Sequence, residues 1–159
     1  MRNMIPGSFP ECQAACIPVA PANRNNCECP QHPGAAVFNH ASTYVADVVW
    51  HGQSTRHIRQ GIEQEIGLEE LRQAWLGVSP MSYFDKFARW PKKSLIIYAK
   101  YDLTFLPELS RAAVREFERH GLDHKVVVLP CGHYTTGETP FKYMDGWQMA
   151  SFLRTAFER

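Results

Sequence analysis

Asp102 and His133 carry the strongest chemical signal in this sequence of 159 residues. A carboxylate that accepts from one imidazole nitrogen fixes the tautomer and leaves the other nitrogen able to take a proton from a nucleophile. Asp102 lies three residues past Ala99, in Ala-Lys-Tyr-Asp-Leu-Thr-Phe-Leu-Pro, and His133 lies four past Leu129, in Leu-Pro-Cys-Gly-His-Tyr. Both follow apolar runs that read as strands. In a parallel sheet the loops leaving the C-terminal strand ends lie side by side, and that edge is where open α/β folds bind ligands. Adjacent strands are about 4.8 Å apart, so loops of this length can bring the carboxylate within hydrogen-bond reach of the imidazole. Each residue alone has a blander reading: an Asp just before a helix is often only a cap, and a lone loop His is more often solvated than basic. The pair, in this order and at these positions, is what points to chemistry.

The elements that must hold the pair alternate between strand and helix. Residues 94–99 form a continuous apolar run typical of a strand covered on both faces, and residues 125–129 read as a second fully buried strand. Between them Pro107 opens a helix through His120, with Leu109, Ala113 and Phe117 at spacing four and Gly121 at its end. From Pro140 onward Tyr143, Trp147, Ala150 and Phe157 fall on a helical stripe. Upstream, residues 44–50 are apolar and β-branched apart from Asp47 and read as a buried strand. A polar turn at residues 51–55 leads to a helix over 56–65 with Ile58 and Ile62 on one face. Leu68, Leu71, Trp75 and Val78 mark a further amphipathic helix that Ser79 and Pro80 end, and Tyr83, Phe84 and Phe87 belong to a short helix or turn. Strands joined by crossover helices imply a parallel sheet with helices on its faces. Residues 1–40, rich in proline and cysteine, carry no periodicity and read as an irregular segment preceding a domain over 41–159.

The order strand, Asp, Pro, helix, strand, Gly-His, final helix resembles the last two βα units of the α/β-hydrolase superfamily. The resemblance covers about residues 41–159 and is closest over 94–157. It implies the C-terminal half of that fold, with Asp102 as the orienting acid, His133 as the general base and Gly132 in the family's frequent Gly-His pair. It also implies ester or related acyl hydrolysis on a small-molecule, ester-like substrate, with no cofactor and no metal. The family's nucleophile sits in a Gly-x-Ser-x-Gly elbow between strand and helix, and no such pentapeptide occurs here. The nearest is Gly52-Gln53-Ser54-Thr55-Arg56, with arginine where the second glycine belongs, which makes Ser54 the candidate nucleophile. Its short separation from Asp102 leaves no room for the intervening strands, and the competing reading places Ser54 in a cap region or loop. The expectation is therefore a partial hydrolase domain whose first half, nucleophile included, is absent. The raw sheet edge, near residues 44–50 or 94–99, would then favour self-association. The alternative is a non-catalytic module that binds itself or a partner chain through that edge.

Composition narrows the remaining classes. Seventeen basic against sixteen acidic side chains give a net charge of +1, with no electrostatic case for nucleic acid or an anionic membrane surface. No apolar run approaches the roughly 18 residues that span a bilayer, and the first residues lack a secretory apolar stretch, so a soluble, cytoplasmic protein is expected. Cys12, Cys16, Cys27 and Cys29, with His32, could supply zinc ligands, although the C-x-C spacing is cramped and an unpaired segment is the blander reading. Cys131 reads as a bystander to His133. Arg56, His57 and Arg59 form either an anion-binding cluster or, more simply, a solvated helix face.

Overall fold

A computed structural model describes residues 34–89 and 92–158. Its centre is a parallel sheet of three strands, β1 (Ala35–Asn39), β2 (Lys93–Ala99) and β3 (His124–Leu129), in the order β1-β2-β3. Asn39 pairs with Ile97, and Ala99 with Leu129, so all three strands end on the same edge. β2 lies in the middle because it can be covered from every side: Ser94 through Ala99 are all buried. Its side chains alternate between two apolar clusters, as a strand's period of two requires. Leu95, Ile97 and Ala99 join Leu129 and Cys131 on one face, under Phe141, Met149 and Phe152 of α6 (Phe141–Phe157). Ile96 points the other way, to Phe84, Phe117 and Leu122, packed with Phe38, Phe87 and Val114. Phe117 is the hub of that face, with the rings of Phe38 at 5.2 Å and Phe84 at 5.5 Å in edge-to-face contact.

The crossover helix α5 (Pro107–Arg119) starts on a proline and ends as the sequence requires. Gly121 takes the left-handed conformation (φ 63°), its N–H donates to the Glu118 carbonyl, and the Leu122 N–H donates to that of Phe117. Buried Leu122 then packs against Phe117, which completes a Schellman end with its hydrophobic contact. The short helices α1 (Val45–His51), α2 (Arg56–Ile62), α3 (Leu68–Ala74) and α4 (Phe84–Ala88) connect β1 to β2. No helix among the described residues is long and apolar enough to cross a membrane.

Five expectations are corrected. Residues 44–50 are not a strand: α1 occupies them, with Ala46, Asp47, Val48 and Val49 buried. A short apolar run reads the same for a buried helix as for a buried strand, and here Asp47 pairs with Arg72 of α3 at 2.7 Å and makes the helix stick. The first strand instead lies at Ala35–Asn39, inside the stretch taken as irregular; four apolar residues were too few to show a period. Residues 125–129 do form a strand, but Val126 and Val128 are exposed because β3 has no outer neighbour among the described residues. Likewise β2 is central, so among the described residues the unpaired edges are those of β1 and β3 rather than residues 94–99. Finally, Tyr143, Trp147 and Phe157 point to solvent, and α6 packs its opposite, partly buried face on the sheet through Phe141, Met149 and Phe152.

Candidate active site

The loop after β2 stays zipped to the loop after β3: Lys100 N–H donates to the Leu129 carbonyl and Tyr101 N–H to that of Cys131. Asp102 comes next and its side chain is wholly buried. Its two oxygens do different things. Oδ1 accepts from the backbone N–H groups of Thr104 and Phe105, each at 2.8 Å, which is the turn-forming role expected of an Asp before a helix. Oδ2 faces two imidazoles, His133 Nδ1 at 3.1 Å and His40 Nδ1 at 2.9 Å. One oxygen of Asp102 thus shapes the turn and the other faces the two histidines. Four nitrogen atoms lie within hydrogen-bond reach of this one carboxyl group.

His133 is carried by a turn built for close approach. A Cβ on Gly132 would lie 3.2 Å from the Tyr101 carbonyl oxygen, so glycine lets this loop rest on the Asp102 loop. Thr135 Oγ1 accepts from the Gly132 N–H at 2.8 Å, and Thr136 Oγ1 donates to the Gly132 carbonyl at 3.3 Å. Phe105 stacks on the His133 ring at 5.8 Å. In the tautomer that gives Nδ1–H to Asp102, Nε2 is left as the acceptor.

His40 was not foreseen. It is the first residue past β1, its N–H donates to the Ile97 carbonyl at 2.9 Å, and its φ is +53°, an uncommon conformation for a residue with a side chain. Its ring is 5.0 Å from that of His133. The signal that could have found it was the same one used for His133, a histidine just after a short apolar run, here 35–38. Each of His40, Asp102 and His133 offers one potential ligand atom within 4.8 Å of the others.

Ser54 sits in the turn between α1 and α2, so its segment is no strand-to-helix elbow. Gly52 is needed there, since a Cβ would meet the Val48 carbonyl oxygen at 2.5 Å. The turn is nevertheless docked on the Asp102 loop: Gln53 N–H donates to the Leu103 carbonyl at 2.7 Å, and Ser54 Oγ lies 2.9 Å from Thr104 Oγ1. Ser54 and His133 line the same cavity of about 240 Å³, with the serine hydroxyl engaged by Thr104 rather than by the histidine. A second cavity of about 450 Å³ opens on the His40 side, walled mainly by Val48, Phe38, Phe84, Phe87 and Phe105.

The other candidates take bland places. Cys131 is buried in the core, and burial pushes its thiol up from the ordinary value, the reverse of what a nucleophile needs. Arg59 pairs with Glu63 at 2.6 Å and lies over Trp50, on a helix that buries nothing. Cys12, Cys16, Cys27, Cys29 and His32 lie outside the described residues.

No protein-family model and no curated protein matches this chain in sequence. In structure it is similar to the acylaminoacyl peptidase of Pyrococcus horikoshii, at a TM-score of 0.57 and 11% identity over 77% of this chain and 19% of that one. An acylaminoacyl peptidase in complex with Z-Gly-Gly-Phe-chloromethyl ketone gives a TM-score of 0.58 at 11% identity over the same shares, 77% and 19%. A hydrolase from Pseudomonas aeruginosa PA01 aligns over 72% of this chain and 53% of its own at 15% identity, with a TM-score of 0.36, too distant to carry weight. This chain thus spans 19% of the length of the peptidases it matches, and at such identity the likeness is one of fold. With three parallel strands, helices on both faces and its histidines and aspartate at the C-terminal strand ends, the described chain has a partial α/β-hydrolase-like fold.

Proposed function

We propose that this chain carries the acid–base half of a hydrolytic site for ester or related acyl substrates. The observation behind it is the 3.1 Å hydrogen bond from His133 Nδ1 to Asp102 Oδ2, made between loops that leave adjacent parallel strands. Nδ1–H is committed to a buried carboxylate, so the Nε2 lone pair takes the proton from the attacking hydroxyl. The resulting imidazolium faces an anion held by two backbone N–H groups, and Nε2 then returns the proton to the leaving alkoxide. Ser54 is the candidate nucleophile because it lines the cavity that His133 lines; to act, its hydroxyl must exchange Thr104 for His133 Nε2. A positioned base alone supplies about 10²- to 10⁴-fold, so turnover of activated esters, slow beside that of a complete triad enzyme, is the expected activity.

Hydrolysis of p-nitrophenyl acetate tests this. The His133→Ala protein should fall to the uncatalysed background, and an unchanged rate would overturn the proposal. Loss of both turnover and fluorophosphonate labelling in Ser54→Ala would assign the nucleophile to Ser54, retention of both would assign it to another side chain, and turnover without labelling in either protein would assign it to water.

A second reading, a non-catalytic module that binds itself or a partner chain, is favoured by the exposed Tyr143, Trp147 and Phe157 on α6 and by the outer edges of β1 and β3. A sedimentation profile of a well-folded monomer at micromolar concentration would argue against it.

A further inference from the structure

We propose that His40, Asp102 and His133 bind a divalent transition-metal ion, zinc by preference, through His40 Nδ1, His133 Nδ1 and Asp102 Oδ2. Two imidazoles and one carboxylate suit zinc and its neighbours rather than magnesium or calcium, which take oxygen ligands. Three protein ligands and an open fourth position are the pattern of an accessible zinc site.

Two of the three ligand separations need little adjustment, and all three residues offer ligand atoms within 4.8 Å of one another. Zinc holds nitrogen and oxygen ligands at about 2.0–2.2 Å, and a tetrahedral arrangement then separates them by about 3.3–3.6 Å. The two nitrogens lie 2.9 and 3.1 Å from Asp102 Oδ2, so each pair has to open by a few tenths of an ångström. The carboxylate is already oriented for this, because the Thr104 and Phe105 N–H groups hold Oδ1 and leave Oδ2 to the ligands.

His40 supplies an independent argument. Its backbone is held at φ +53° while its side chain reaches the same oxygen that His133 reaches. Conformations of this kind persist where the surroundings enforce them, and they gather at ligand sites. The hydrolytic reading gives His40 no task. Access exists as well, since the His133 side chain is 29% exposed and lines the cavity of about 240 Å³.

The proton balance follows from the tautomers. Without the ion, each neutral imidazole carries its proton on Nδ1 and donates it to Asp102. With the ion, both Nδ1 lone pairs are given to the metal and each proton is carried on Nε2 instead, exchanged through solvent with no net release. One consequence rests on the proposed hydrolytic reading: a metal-bound His133 has a protonated Nε2 and no longer accepts a proton, so the ion inhibits the base.

The test is a zinc titration by calorimetry on the full chain with Cys12, Cys16, Cys27 and Cys29 replaced by serine, so that those thiolates do not compete. One ion per chain is expected, and His40→Asn and His133→Asn should each weaken binding by at least about tenfold, since altering even the outer partners of a zinc site costs that much. Asparagine tolerates the left-handed backbone at position 40, and circular dichroism checks each fold; if one variant fails to fold, the other decides. Absence of zinc binding, or binding that neither folded variant weakens, would overturn the site. Because binding is read without turnover, an inactive protein that binds zinc leaves this inference standing, and an active protein that does not bind zinc removes it alone.

Discussion

Replacing Asp102 separates its structural role from its chemical one. In Asp102→Ala four donors lose their acceptor: the Thr104 and Phe105 N–H groups at 2.8 Å and the Nδ1 atoms of His40 and His133 at 2.9 and 3.1 Å. The imidazoles line cavities and can turn to water, but the two backbone donors cannot easily do so. A buried donor left unsatisfied costs about 1–3 kcal/mol, so with two of them the alanine variant should lose roughly 2–6 kcal/mol. Asp102→Asn keeps an oxygen for the two N–H groups and turns an amide nitrogen toward the imidazoles, which forces the other tautomer; its cost should be nearer 1–2 kcal/mol. Both variants should lose hydrolysis, because the tautomer matters as much as the carboxylate's presence. Urea unfolding followed by circular dichroism gives the comparison as a shift in midpoint at constant slope. An alanine variant as stable as the asparagine one would refute the claim that Oδ1 anchors the loop.

Three further outcomes are expected. Arg72→Ala should cost about 3–5 kcal/mol in urea unfolding, since it strips the partner from the buried Asp47 carboxylate, now paired at 2.7 Å. Gly52→Ala should destabilise by about 1–3 kcal/mol, because the new methyl group meets the Val48 and Thr104 carbonyl oxygens at 2.5 and 2.9 Å, and hydrogen exchange in the Asp102 loop should quicken. Burial raises the Cys131 thiol above its ordinary value of 9.0, so its contribution to stability is complete below that pH and is lost as pH rises through the folded value. The alkaline loss of stability should accordingly be shallower in Cys131→Ala, and in the intact protein Cys131 should be alkylated only on unfolding.

How much was legible in the sequence depended on whether an element declares itself alone. Residues 94–99 did, being buried on both faces, and α5 did through Pro107 and Gly121. Asp102 and His133 were found because each follows such an element, and the structure joins them at 3.1 Å. His40 was lost because β1 is five residues long and is a strand only by pairing with β2, which no local period records. Residues 44–50 misled because Ala46, Asp47, Val48 and Val49 are buried in succession and show no helical period, while the Asp47–Arg72 pair that ties α1 to α3 is a contact no local pattern records. On α6 two apolar stripes compete; the sheet took Phe141, Met149 and Phe152 and left Tyr143 and Trp147 outside. For Ser54 the spacing suggested an elbow, yet a helix precedes it, and its place beside the His133 cavity comes from the docking of Gln53 on Leu103.

The account turns on which nitrogen of His133 carries the proton. Long-range proton–nitrogen correlation NMR on metal-free protein, at a pH where imidazoles are neutral, reads this directly once His133 is assigned by its loss in His133→Asn. The account predicts a protonated Nδ1 and a bare Nε2 in the wild-type protein, reversed in Asp102→Asn. A proton on Nε2 in the wild-type protein would contradict it.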